Sequence, residues 1–176
     1  MEQEIVLKKC LRNLIVVLVI LLFILFFVFM IKNSITFQYK GDFLEYESEI
    51  TELTLYLKDL FESDEMDAEE TGRKLLTYSK KDENYVLYGT NYQKVVPENL
   101  NDNFEALDNA FSQEDPVWLI ECYENRIAFI IDNGTYALVY TYNDERPTFL
   151  SSPDETEKIV VAKIKPHWYN VAISRY

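Results

Sequence analysis

Residues Leu14 to Ile31 read LIVVLVILLFILFFVFMI, eighteen apolar residues without a charge, a glycine or a proline. At about 1.5 Å rise per residue such a run spans about 27 Å as a helix, against about 30 Å for the hydrocarbon core of a bilayer. A helix packed in a globular core carries some polar face, and this run has none. A secretory signal has an apolar region of about 7–15 residues closed by a small-x-small cleavage site. Here the run is longer and Lys32-Asn33-Ser34-Ile35-Thr36 follows it. The expectation is an uncleaved transmembrane anchor over residues 14–32, preceded by a tail of residues 1–13. A connector, 33–41, and a folded domain, 42–176, come after it.

Flanking cations set the expected orientation. Lys8, Lys9 and Arg12 precede the run, and Lys32 alone follows it closely. The positive-inside bias places the N-terminus in the cytoplasm and the C-terminal domain outside the cell membrane. The lipid bilayer, met through residues 14–31, is then the first expected partner. Residues 1–32 carry four cations against Glu2 and Glu4, so residues 33–176 hold the other 13 cations and 28 carboxylates, a balance of −15. A domain this acidic repels phosphate backbones, which excludes nucleic acid as a partner. Cys10 and Cys122 fall on opposite sides of the bilayer in this topology and do not pair. A domain of roughly 140 residues buries a sufficient core without a disulfide. Abundant Ile, Lys, Asn, Glu and Tyr with only four Gly suggest an AT-rich bacterial genome.

The domain reads as α+β. Phe43, Tyr46, Ile50, Leu53, Leu57 and Leu60 recur every three or four residues, an amphipathic helix from about Asp42, its N-cap, to Glu62. Pro97 to Phe111 repeats the pattern with Leu100, Phe104, Leu107 and Phe111 on one face. Period-two runs mark strands at Lys74–Ser79, Tyr85–Gly89, Val117–Tyr123, Arg126–Ile131, Tyr136–Tyr142, Lys158–Lys165 and Trp168–Ser174. Asn133-Gly134 between two apolar runs is a strong hairpin cue. The last five strands have short connections, so they suit an antiparallel meander with two helices covering one face. Cys122 is expected to share a strand face with Trp118 and Ile120 as a small buried apolar residue.

The search for chemistry yields little. His167 is the only histidine, so a zinc site built on paired histidines is impossible within one chain. There is no G-x-S-x-G elbow, P-loop or G-x-G-x-x-G. Cys122 with His167, or a chance pair among the many carboxylates, is what remains for a cell-wall-active or thiol-dependent hydrolase. The segment Ser63 to Glu70 holds five acids in eight residues, but it lacks the glycine and ligand spacing of an EF-hand loop. No cofactor is implied. Tyr and Trp dominate binding hot spots, and Tyr140, Tyr142 and Tyr169 would form a platform for a peptide or glycan if they share an exposed face. The expected function is a non-catalytic interaction or accessory module that binds another membrane or exported protein. A ligand-binding sensor acting through a partner is the further alternative.

Overall fold

The computed structural model describes residues 15–26, 40–63, 65–69, 72–111, 116–131, 135–148 and 157–175. The chain divides into two units, Met1–Gln38 and Tyr39–Tyr176. In the first, the described residues form helix α1 (residues 15–26), whose side chains are all between 50% and 67% exposed. Among the described residues no helix is long and apolar enough to cross a membrane. This corrects the expected transmembrane helix. As described, α1 has twelve residues, about 18 Å of helix, and Leu14 and residues 27–32 of the expected span lie outside the described residues.

In the second unit the first amphipathic stretch forms two helices, α2 (Lys40–Glu45) and α3 (Glu47–Glu62), where one was expected. Asp42 lies inside α2 rather than at a cap. The break falls at Tyr46, whose φ of −109° and ψ of 17° leave the helical range, and whose N–H reaches back to Phe43 O at 3.2 Å. The kink lets Phe43 pack on Trp168, ring centroids 4.8 Å apart, while α3 buries Ile50, Leu53, Leu57 and Leu60. The second helical stretch starts as a 3₁₀ turn, Glu98–Leu100, behind Pro97 and continues as α4 (Asn101–Ala110).

Among the described residues there are eight strands: β1 (Lys74–Lys81), β2 (Asn84–Gly89), β3 (Tyr92–Val95), β4 (Val117–Tyr123), β5 (Arg126–Ile131), β6 (Tyr136–Thr141), β7 (Glu157–Lys165) and β8 (Trp168–Arg175). They form one antiparallel sheet in the order β3-β2-β1-β4-β5-β6-β8-β7. Two corrections to the expected meander follow. The edge strand β3 was not foreseen, since four residues with Val95 59% exposed carry almost no periodic signal. And β8, not β7, pairs with β6, because the connection between Thr141 and Glu157 is long enough to carry the chain past one strand position.

The two strands flanking Asn133-Gly134 pair with each other. Ile131 pairs with Tyr136 and Arg126 with Thr141, while residues 132–134 of the turn lie outside the described residues. The main core lies between α2, α3, α4 and one sheet face, with Leu76, Leu87, Phe104, Leu107, Ile120, Ile127 and Phe129 fully buried. That burial supplies most of the favourable folding free energy, at ~25 cal/mol per Å² of apolar surface removed from water.

Candidate functional site

The opposite face of the sheet carries its own smaller cluster, Ala128, Ala137, Val139, Tyr169 and Val171, with Ile130, Ile159 and Val161 packed on it. No helix residue belongs to this cluster among the described residues. Directly paired residues in antiparallel strands share a face, and the register places Leu119, Ile130, Ala137, Val171 and Val161 in one row across five strands. Leu119, Ile130 and Val161 are only half-buried. The next row runs Glu121, Ala128, Val139, Tyr169 and Lys163, apolar at its centre and charged at both ends. Beyond Leu119 the face continues into a depression of about 280 Å³ lined by Leu75, Thr77, Tyr88 and Thr90.

Trp118 departs from its expected place beside Cys122 and Ile120. A register shift between Val117 and Leu119 inserts one extra residue into β4, as a β-bulge does. Ile120 and Cys122 stay fully buried while Trp118 is 46% exposed.

Two of the three singled-out tyrosines come together and one does not. Tyr140 and Tyr142 lie 6.1 Å apart between ring centroids and pack against the helix-side core. Tyr140 also contacts Trp168 at 4.9 Å and stacks on His167 at 5.4 Å. Lys58 Nζ sits 5.1 Å above the Tyr142 ring, and burial pushes the Tyr142 phenol above its ordinary range. Tyr169 is paired with Val139 on the opposite face, buried, with its hydroxyl donating to Asp144 O at 2.8 Å. The three therefore do not form one platform.

Cys122 and His167 are not brought together by any hydrogen bond. Cys122 is enclosed in the helix-side core, and burial pushes its thiol up to about 12, so almost no thiolate exists at neutral pH. His167 occupies a left-handed turn position, φ 68°, behind Pro166. Its Nδ1 donates to Thr141 O at 2.8 Å, fixing the ring.

The residue that organises this corner is Asp144, which the sequence did not single out. Its carboxylate accepts from His167 N at 2.6 Å and from Lys163 Nζ at 2.7 Å. The Lys163 hydrogen bond, followed by the one from His167 N, holds the carboxyl below its ordinary range. The run Tyr142-Asn143-Asp144 after a strand is a turn signal, but nothing in it announces the partners. In the acidic segment, Glu65 pairs with Lys94 and Glu69 with Arg73, both at 2.6 Å. Asp64 and Glu70 lie outside the described residues. Among the described residues no group of three or more His, Cys, Asp or Glu side chains is placed to hold a metal ion.

Comparisons with protein-family models, with curated proteins and with solved structures find no match to this chain.

Proposed function

We propose that this chain is a non-catalytic interaction module that docks another membrane or exported protein on the helix-free face of its sheet. The row Leu119, Ile130, Ala137, Val171 and Val161 carries this reading. Ala137 and Val171 in it are buried, while Leu119, Ile130 and Val161 are half-open to solvent on a face to which no described helix contributes, and partly open apolar surface supports a contact site. Glu121 and Lys163 at the two ends of the neighbouring row give a partner a charge pattern to read, which favours one docking direction. The apolar N-terminal stretch supports a location at a lipid bilayer, because twelve consecutive side chains exposed by half or more favour an apolar environment over water.

Two measurements test this. A photo-reactive residue at Leu119 or Val161 in the full chain should give a discrete adduct with one membrane or exported protein, while the same probe at Leu55, exposed on α3, should not. Equal labelling from both faces, or a purified chain that cleaves peptidoglycan, would overturn the reading. For the location, the full chain should float with lipid vesicles after a high-salt wash. Recovery in the aqueous fraction would remove the bilayer as a partner.

A further inference from the structure

Strand β7 ends the strand order, and among the described residues its edge away from β8 meets no other strand. We infer that this edge pairs with the same edge of a second copy of the chain, antiparallel and centred on Val160. Unpaired backbone along a sheet edge is a template for another strand. Here the edge strand is nine residues long, with Ile159, Val160, Val161 and Ala162 in succession, all four partly open to solvent. The opposite edge strand, β3, has only four residues.

A bulge limits the usable length. Lys163 pairs with Tyr169 and Lys165 with Trp168, so Ile164 is an extra residue that bends the strand, a device that blunts an edge. From there the chain turns to the helix layer: Ile164 packs on the helix-side core, and Lys165 pairs with Glu47 of α3. The regular part, residues 157–163, keeps step with β8 throughout.

Symmetry then fixes the register. Two identical strands in one continuous antiparallel sheet are related by a two-fold axis perpendicular to it, and directly opposed residues share a face. Chain neighbours lie on opposite faces, so the axis must fall at a residue that opposes itself. Only an axis at Val160 engages the whole regular part. It sets Ile159 against Val161, both on the helix-free face, then Ala162 against Lys158, and Lys163 against Glu157 at each end. The sequence Glu157-Lys158-Ile159-Val160-Val161-Ala162-Lys163 is thus self-complementary about its middle, with apolar positions opposed at the centre and opposite charges at the ends. Moving the axis by one residue either way shortens the pairing and parts those charges. Lys163 keeps Asp144 in this arrangement, since its ammonium has three donors and its side chain is 46% exposed.

The pairing does not rest on the docking of another protein proposed above. Leu119 on β4 lies four strand positions from β7, about 19 Å, so a probe there reports the face and not the edge. A probe at Val161 reaches the second copy as well, and that adduct is told apart by its mass of twice the chain.

The test is disulfide crosslinking of the detergent-solubilised full chain carrying Cys10→Ser and Cys122→Ala, with one cysteine placed in turn at each of residues 158–162. Opposed Cβ atoms lie about 4.5–5.5 Å apart and diagonal ones about 7–8 Å. Under mild oxidation Val160→Cys should therefore give the most covalent dimer, Ile159→Cys and Val161→Cys less, and Lys158→Cys and Ala162→Cys little unless those two are mixed. Sedimentation should show the parent chain as a dimer. Glu157→Lys sets cation against cation at both ends and should raise the dissociation constant about tenfold or more, with the circular dichroism of the monomer unchanged. A monomer throughout, a crosslinking peak at another position, or a flat profile such as association through α1 would give would each overturn the inference. So would a dissociation constant that ignores Glu157→Lys, or adducts at residue 160 with a different protein in place of the second copy.

Discussion

Lys74 caps the C-terminus of α3: its ammonium donates to Phe61 O at 2.7 Å and also to Ser63 O at 2.9 Å. The last carbonyls of a helix lack intrahelical partners, and the negative end of the macrodipole favours a cation there. Lys74 is 8% exposed, so this is a cation removed from water and paid for by two carbonyls. It also joins the helix layer to β1.

Replacing Lys74 by Met should therefore destabilise the fold by about 1.5–3 kcal/mol, the range for hydrogen bonds to a charged group whose partners stay buried. Thermal melting of the full chain in detergent should show a drop of several degrees. Lys74→Arg should lose less, because it keeps the charge and donors. Equal losses for both would mean that shape, not the cap, is what matters at this position.

A second prediction concerns Asp108, which accepts from the hydroxyls of Tyr78 and Tyr85, each at 2.7 Å. Desolvation, with the Asp108 charge and hydrogen bonds adding to it, pushes both phenols above their ordinary value of 10.0. A raised pKa means that the native state holds these protons more tightly than the unfolded chain does. The stability they contribute is fully present below about pH 10 and is lost as pH rises beyond it. In an alkaline spectrophotometric titration some tyrosines should ionise only with unfolding. In Asp108→Asn that delay should shrink. A titration in which every tyrosine ionises near its ordinary value while the fold persists would refute this.

The elements with long periodic signals were legible in the residues themselves. Strands Val117–Tyr123 and Arg126–Ile131 stand where alternation placed them, because cross-strand burial on both faces selects β-branched and aromatic side chains. What escaped were features set by tertiary context. The kink at Tyr46 interrupts an unbroken amphipathic stripe because Phe43 is drawn onto Trp168. The bulge beside Trp118 reverses one side chain within a strand whose alternation looked regular. Tyr140 and Tyr169 fall on opposite faces because β8 pairs with β6, a choice made over a long connection. Asp144 and Lys74 gain their importance from partners far along the chain, and no local pattern encodes that.

Asp144 gives a pH prediction of the opposite sign. Its carboxyl is held below the ordinary value of 3.8, chiefly by Lys163 and next by His167 N. A depressed pKa contributes stability above the unfolded value, and that contribution fades as pH falls through the lower folded value. Asp144→Asn keeps an oxygen for His167 N but loses the ion pair. The parent should melt slightly higher than Asp144→Asn near neutral pH, and the two curves should converge in acid below about pH 4. The pair with Lys163 is solvent-exposed, so high salt should narrow the gap as well. A gap that is constant from neutral to acid pH would show that the ion pair is not its origin.

The last prediction bears on the thiol. Cys122 is fully buried, and burial is the largest cause of its raised pKa, only partly opposed by the nearby Lys74. Thiolate is the reactive form, and with a value of about 12 its fraction at neutral pH is on the order of one part in a hundred thousand. Access is closed too, since Cys122 lies among core residues such as Ile120 and Ile127. In a Cys10→Ser background, a thiol-specific maleimide should leave the native chain unlabelled at neutral pH over hours and label it promptly once denaturant unfolds it. Labelling should then track global unfolding, measured in parallel by circular dichroism. Cys122→Ala should bind the proposed partner as the parent does, losing only the stability of a small buried side chain, about 1–2 kcal/mol. Rapid labelling of the folded chain, or loss of function with the fold intact, would reverse the conclusion and make Cys122 a reactive group rather than part of the core.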